Sequence, residues 1–321
     1  MIMQILLTGA SGFVGSGLIA PLLKRQHSIT AAVRELKADL DTRVNQRLIG
    51  GLSDDQDWQL LLESQETVIH LAARVHVMSD ASTDPLAEYR RINVEGTLNL
   101  ARQAAAAGVK RFIFISSIKV NGESTATGVP YTADGPTTPT DPYGISKKEA
   151  EQGLRKLASE TGMEVVIIRP VLVYGPGVQA NFLSMMRWLH KGLPLPFGAV
   201  NNRRSLVALD NLIDLIVTCT EHPAAANQTF LVSDGEDLST TALLRRMGTA
   251  LNKPARLLPV PSWLLQTGAT ALGRRALAQR LCGSLQVDIG KTRELLGWTP
   301  PSSVDQALSK TGKHFLERQT K

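Results

Sequence analysis

Met3-Gln-Ile-Leu-Leu-Thr-Gly-Ala-Ser-Gly-Phe-Val-Gly15 is the stretch that decides the fold. An apolar, strand-like run ends at Thr8, glycines follow at Gly9, Gly12 and Gly15, and a helical pattern (Leu18, Ile19, Leu22, Leu23) starts at once. In a strand–turn–helix that holds a dinucleotide, Gly9 permits the tight turn, Gly12 lets backbone approach a pyrophosphate, and Gly15 lets helix pack on strand. The helix start adds free N–H groups and the positive end of its dipole. A glycine triplet alone is weak evidence, but here the strand before it and the helix after it are both present. Ser11, Phe13 and Val14 lie in the same turn and join the expected cofactor contacts.

Beyond the first helix, Ile29-Thr-Ala-Ala-Val33 reads as a second strand ending in Arg34. An acidic residue there would grip the ribose 2′-hydroxyl of NAD; Arg34, with Lys37 close behind, suits a 2′-phosphate and favours NADP over NAD. Thr67 to Ala73, Val109 to Ser117 and Glu164 to Arg169 read as three further buried strands, rich in β-branched and aromatic residues. Helical segments separate them, one running from Leu86 to Ala107. Strands alternating with helices give parallel βαβ units, so the fold class is α/β with a doubly wound parallel sheet.

After Arg169-Pro170 the composition shifts to frequent proline and glycine (Gly175-Pro176-Gly177, Gly192, Pro194, Pro196, Gly198), which marks the border of a smaller C-terminal unit. Ser205 to Leu209 and Gln228 to Val232 are expected to be strands that rejoin the main sheet. The division is therefore residues 1–168 plus roughly 205–232 for the dinucleotide, and 169–204 with 233–321 for the substrate. Leu243, Leu244 and Met247 share a helical face in the part that caps the cleft.

The 321 residues are 43% hydrophobic, enough for a sizeable core. The net charge of +6 is spread in short clusters such as Arg203-Arg204, Arg245-Arg246 and Arg274-Arg275, without interleaved aromatics, so nucleic acid is not an expected partner. Cys219 and Cys282 sit in no metal or redox spacing, and the six histidines (27, 70, 76, 190, 222, 314) form no zinc pattern with carboxylates. A reduced, cytoplasmic setting with no metal is the expectation. There is no Gly-x-Ser-x-Gly elbow and no apolar run of the length that crosses a bilayer. Trp263 to Leu272, followed by Arg274-Arg275, is the one stretch that would suit a membrane surface, but it reads first as a helix of the second unit.

Asp141-Pro-Tyr-Gly-Ile-Ser-Lys147 carries the chemistry. Asp141 caps a helix, Pro142 fits its first turn, and Tyr143 and Lys147 fall four apart on one face. An ammonium beside a phenol stabilises the phenolate, so Lys147 is expected to lower the pKa of Tyr143 toward the working range of an acid or base in alcohol–ketone exchange. Ser117 stands at the carboxyl end of the fourth strand, where ligands of such sheets bind.

Together with His70-Leu-Ala-Ala73, Asn93-Val-Glu-Gly-Thr97, Ser116-Ser117 with Val120-x-Gly122, and Arg169-Pro-x-x-Val-Tyr-Gly-Pro176, these residues resemble the extended short-chain dehydrogenase/reductase family in its nucleotide-sugar branch. Leu295-Leu-Gly-Trp-Thr-Pro300 resembles the family's C-terminal signature. The resemblance implies the Rossmann form of the sheet and hydride transfer between a nicotinamide and a sugar carbon. Ser117 would orient the substrate oxygen, Tyr143 would move the proton, and Lys147 would hold the nicotinamide ribose. The cofactor, NADP or NAD, would lie on the glycine turn and on Arg34, Leu71, Ala72, Ala73, Asn93, Pro170 and Val173. A UDP-sugar would meet Ser117, Asn181, Arg204 and Arg280. Asn93 would support the active-site helix or merely cap one. A homodimer through helices at about 86–106 and 143–158 is also implied.

Departures from the family pattern narrow the choice. Dehydratases of the family carry an acidic pair after the serine, where Ile118-Lys119 stands. Epimerases typically read Val-Tyr-Gly at Val120-Asn121-Gly122 and often place an asparagine at Leu172. The second half looks most like bacterial 4-ketoreductases that form UDP-N-acetylquinovosamine for O-antigen, and that reduction is the expectation. A UDP-hexose or UDP-N-acetylhexosamine 4-epimerase is the alternative. A non-catalytic dinucleotide sensor and a reductase of an aromatic or terpenoid ketone remain as readings of other kinds.

Overall fold

The computed structural model describes residues 2–75, 84–271, 273 and 275–319, with the side chains of 275–278 left aside. His76, Leu272 and Arg274 lie outside the described residues. Ten strands follow in order: β1 (Gln4–Thr8), β2 (Ser28–Val33), β3 (Asn45–Leu48), β4 (Thr67–His70), β5 (Arg111–Ile115), β6 (Glu164–Pro170), β7 (Leu172–Tyr174), β8 (Arg204–Ala208), β9 (Thr229–Val232) and β10 (Asp237–Leu238). Seven form one parallel sheet in the order β3-β2-β1-β4-β5-β6-β9. The strand order reverses between β1 and β4, the crevice at which such sheets take ligands.

β4 and β5 are buried along their whole length, as strands covered on both faces must be. One face packs Leu18, Leu22, Leu212 and Ile216 from the helices Phe13–Lys24 and Leu209–Glu221. The other packs Trp58, Leu100 and Leu154, the last two from the helices Thr97–Ala106 and Pro142–Thr161. A third cluster around Tyr174, Phe182, Leu244 and Phe315 lies under a second sheet, β10-β8-β7.

Two expectations are corrected. Ser205 to Leu209 does not rejoin the main sheet: β8 pairs in parallel with β7 and antiparallel with β10, while β9 alone returns, beside β6. The cause is the chain path at Pro170. A proline cannot donate to a ladder, and after a single residue, Val171, the backbone pairs in the other sheet. The expected helix from Leu86 to Ala107 is three pieces, Pro85–Arg90, a π-helical turn at Arg91–Gly96, and Thr97–Ala106. Such a turn absorbs an extra residue and is a frequent mark of a functional site; Asn93 is in it.

Candidate active site

The glycine turn is built as its residues dictate. Gly9 has φ +73°, the left-handed region, and a Cβ there would stand 2.9 Å from the Ala72 nitrogen. A Cβ on Gly15 would run into the Gly9 carbonyl, so the helix Phe13–Lys24 lies as close to β1 as glycine allows. Gly12 is the N-cap of that helix and offers no side-chain cap, and no acidic residue occupies its first turn. Its N–H groups are left for an anion. A cradle that any Cβ would fill, ending at an uncapped helix, fits the pyrophosphate of a dinucleotide. Ser11 is exposed at the turn, and Phe13 and Val14 are half-buried behind it.

A buried relay joins this turn to the β4 loop. Thr8 Oγ1 lies 2.8 Å from His70 Nδ1, and His70 Nε2 lies 3.0 Å from Thr97 Oγ1. The Ala72 N–H donates to Thr8 Oγ1 at 3.2 Å, so the threonine hydroxyl bridges the β4 loop and the imidazole. His70 is fully buried, with Phe114 stacked on it at 5.9 Å. Burial, and secondarily the charge of Lys147, push its pKa down to about 3. Between pH 6.5 and 3 the unfolded chain takes a proton that the folded chain refuses, so His70 withdraws stability as pH falls through that window. Replacement by asparagine is expected to flatten the acid limb of the stability curve there, measured by denaturant midpoints from pH 7 to 4.

Asn93 is not a helix cap. Its Oδ1 accepts from the Arg74 N–H at 2.8 Å, and its Nδ2 donates to Arg74 O at 3.0 Å and to Ser146 Oγ at 3.1 Å. It thereby clamps the chain after Leu71-Ala72-Ala73 to the helix that carries Tyr143 and Lys147.

That helix, Pro142–Thr161, starts where the sequence places it. Asp141 Oδ1 accepts from the Gly144 N–H at 2.7 Å, and Pro142 fills the first turn. Lys119, standing where an acid of a dehydratase would be, forms ion pairs with Asp141 and Glu123. Ser117, at the end of β5, hydrogen-bonds the Tyr143 hydroxyl, and its Oγ also accepts from the Lys119 N–H. Tyr89 meets the Tyr143 ring edge-on at 6.1 Å. Lys147 is 2% exposed; its Nζ donates to Ile115 O at 2.9 Å and rests 4.3 Å above the Phe114 ring. Burial lowers the Lys147 pKa to about 7, opposed by the charge of Glu151. Tyr143 departs from expectation: its pKa is raised, first by burial and then by Asp141, with the Ser117 bond opposing. The phenol is held as a proton donor.

Beneath these residues lies a buried ionic knot whose carboxylate, Glu151, the motifs did not single out. Glu151 is fully buried one turn after Lys147. Its oxygens accept from Ser116 Oγ at 2.6 Å, from Arg169 at 2.8 and 2.6 Å, and from Arg155 at 2.9 Å. Arg169 also donates to Asn121 Oδ1 at 3.0 Å, which accounts for an asparagine at the centre of Val120-Asn121-Gly122. The signal in the sequence was a carboxylate on the inward face of a helix, between Ala150 and Leu154.

The other expected residues are less gathered. Pro170 is buried at the end of β6 and Val173 is half-buried in β7. Arg34 is exposed just past β2. Lys37 pairs with Glu35 at 3.2 Å. Arg204, half-buried, donates to Gly283 O at 3.1 Å, which ties it to the end of the helix Arg275–Cys282 bearing exposed Arg280. Asn181 is exposed on the first turn of the helix Ala180–His190.

Over 316 residues the chain is 50% identical to a UDP-glucose 4-epimerase of Vibrio cholerae, covering 98% of this chain and 96% of the relative. It is 28% identical over 322 residues to the N-acetyl-alpha-D-glucosaminyl-diphospho-ditrans,octacis-undecaprenol 4-epimerase of Escherichia coli O157:H7, covering 96% and 94%. Among solved structures, UDP-glucose 4-epimerase of Thermotoga maritima with UDP-glucose superposes with a TM-score of 0.77 at 24% identity, over 99% of this chain and all of that one. UDP-glucuronic acid 4-epimerase of Bacillus cereus in complex with NAD also gives 0.77, at 20% identity, covering 98% and 99%; these likenesses are of fold. The family model described as NAD dependent epimerase/dehydratase family matches residues 5–233, and with the 50% identical relative it establishes that the chain belongs to that family.

Proposed function

We propose that the protein is a UDP-hexose 4-epimerase that interconverts UDP-glucose and UDP-galactose with NAD. The observation that carries this is the 50% identity to the Vibrio cholerae UDP-glucose 4-epimerase along nearly the whole of both chains. It favours epimerisation over the 4-ketoreductase expected from the second half of the sequence. The 4-epimerases among the solved structures of the same fold support the same reading.

NAD is proposed over NADP. Of the two cations behind β2, Lys37 is taken by Glu35, and the hollow of about 410 Å³ beside Ser11 and Lys37 also carries Asp39 and Asp41. Asp41 is paired with Arg43, so Asp39 is the carboxylate left to repel a 2′-phosphate. The bound cofactor would rest on the Gly9–Gly15 turn and against Leu71, Ala72 and Ala73. When bound, its nicotinamide would supply reversible hydride chemistry at sugar C4.

The chain's own residues manage the proton. Ser117 holds O4 in line with Tyr143. Tyr143 gives its proton to O4 when the ketone is reduced and takes it back when the alcohol is oxidised. The reverse transfer needs cationic charge near the phenol, because burial and Asp141 hold it protonated; Lys147, four residues further along the same helix, is proposed to supply it. The forked guanidinium of Arg204 suits two oxygens of a diphosphate, with Asn181 and Arg280 as further contacts. A homodimer through the helices Pro142–Thr161 and 85–106 is proposed on the family resemblance.

The test is to incubate the protein with UDP-glucose and no added cofactor, and to follow UDP-galactose by NMR. Appearance of UDP-galactose with no net change in nicotinamide absorbance is expected. Failure to form it, combined with stoichiometric NAD(P)H oxidation on a UDP-4-keto-6-deoxy sugar, would return the reading to the ketoreductase.

A further inference from the structure

A cavity of about 500 Å³ lies between the helices Ala180–His190 and Val304–Gln319, and none of the residues assigned to cofactor or sugar lines it. Its floor is apolar, from Leu183, Met186 and Phe315. Among the described residues its cations are Arg187 and Arg318, and no aspartate or glutamate lines it. Among the described residues neither arginine makes an ion pair or a side-chain hydrogen bond. His314 lines the same space, and its Nε2 is buried with no hydrogen-bond partner. An unsatisfied buried ring nitrogen is unfavourable, a cost that a ligand oxygen would offset.

We propose that this cavity is a second binding site, taking a small organic anion, a phosphate or sulfonate on a compact apolar body. The volume falls in the range of small-molecule pockets, roughly 300–1,000 Å³. The chemistry divides as the ligand does, with an apolar floor for its body and two guanidiniums for its oxygens. Gln179 and Ala180 also line the cavity and lead directly into Asn181. A ligand there would press on the start of the helix proposed to meet the substrate, which gives the site a route to regulation.

The probe is 1-anilinonaphthalene-8-sulfonate, titrated by fluorescence into the wild-type protein, into Arg187→Ala/Arg318→Ala, and into Arg204→Ala, which alters the proposed sugar-diphosphate site and does not line this cavity. Both arginines are exposed and unpaired, so the double variant should keep its fold, as circular dichroism would verify, and its kcat with UDP-glucose within about twofold. The expected result is a saturable class of sites, present in the wild type and in Arg204→Ala, displaced by inorganic pyrophosphate, and weakened at least tenfold in the double variant. A double-variant isotherm that superimposes on the wild type would overturn the proposal, as would the absence of saturable binding in the wild type. Neither readout depends on which sugar the enzyme turns over.

Discussion

Tyr143→Phe is expected to lower kcat for UDP-glucose epimerisation by about 10²–10⁴-fold, the range over which a positioned acid–base group acts. NAD content and UDP affinity should change little, because the ring remains to pack edge-on against Tyr89. The split matters more than the size. If Tyr143 only shaped the pocket, the loss would fall on KM, and a smaller ring-preserving change would be tolerated. The variant leaves Ser117 unpartnered by the phenol but still bonded to the Lys119 N–H, so the strand end keeps its geometry. Measuring kcat and KM separately, with bound NAD quantified after denaturation, decides between the roles.

Glu151→Ala is expected to cost about 3–5 kcal/mol of stability, because removing one partner of a buried pair strands the other charge. The stranded group is Arg169, 2% exposed and held by both oxygens of the carboxylate. Tm should fall by something on the order of 10 °C, given about 2–4 °C per kcal/mol in chains of comparable size. Glu151→Ala/Arg169→Met should recover part of the loss, since it removes both charges and keeps apolar volume. Chemical melts of the two variants against the wild type make the comparison. A single variant within 1 kcal/mol of the wild type would mean that water reaches the knot and that its charges are not isolated.

The first half of the molecule was legible because local chemistry and global fold agree there. The Gly9–Gly15 turn sits between strand and helix, and Asp141-Pro142 starts the helix bearing Tyr143 and Lys147, both as read from the chain. What stayed hidden depends on contacts between distant segments. Nothing local says that β8 will pair with β7 rather than with the main sheet, since an apolar strand of that length suits either. The sign of the Tyr143 shift was missed for a similar reason. Spacing along a helix reveals the neighbouring lysine but not how far the phenol is shielded from water, and that desolvation is the larger effect. Glu151 was passed over because one carboxylate in a helix rich in charged residues looks like surface until its partners from β5 and β6 are known.

Val171 alone separates the last residue of β6 from the first of β7. A join that short has no slack, so the spacing between the two sheets is fixed when the backbone is made rather than when a ligand arrives. One inserted residue would reverse every side chain of the following strand, turning Tyr174 away from its stack on Phe182, 5.3 Å distant. Divergence toward new sugars must therefore proceed by exchanging side chains and reshaping outlying loops, with this splice left at its present length.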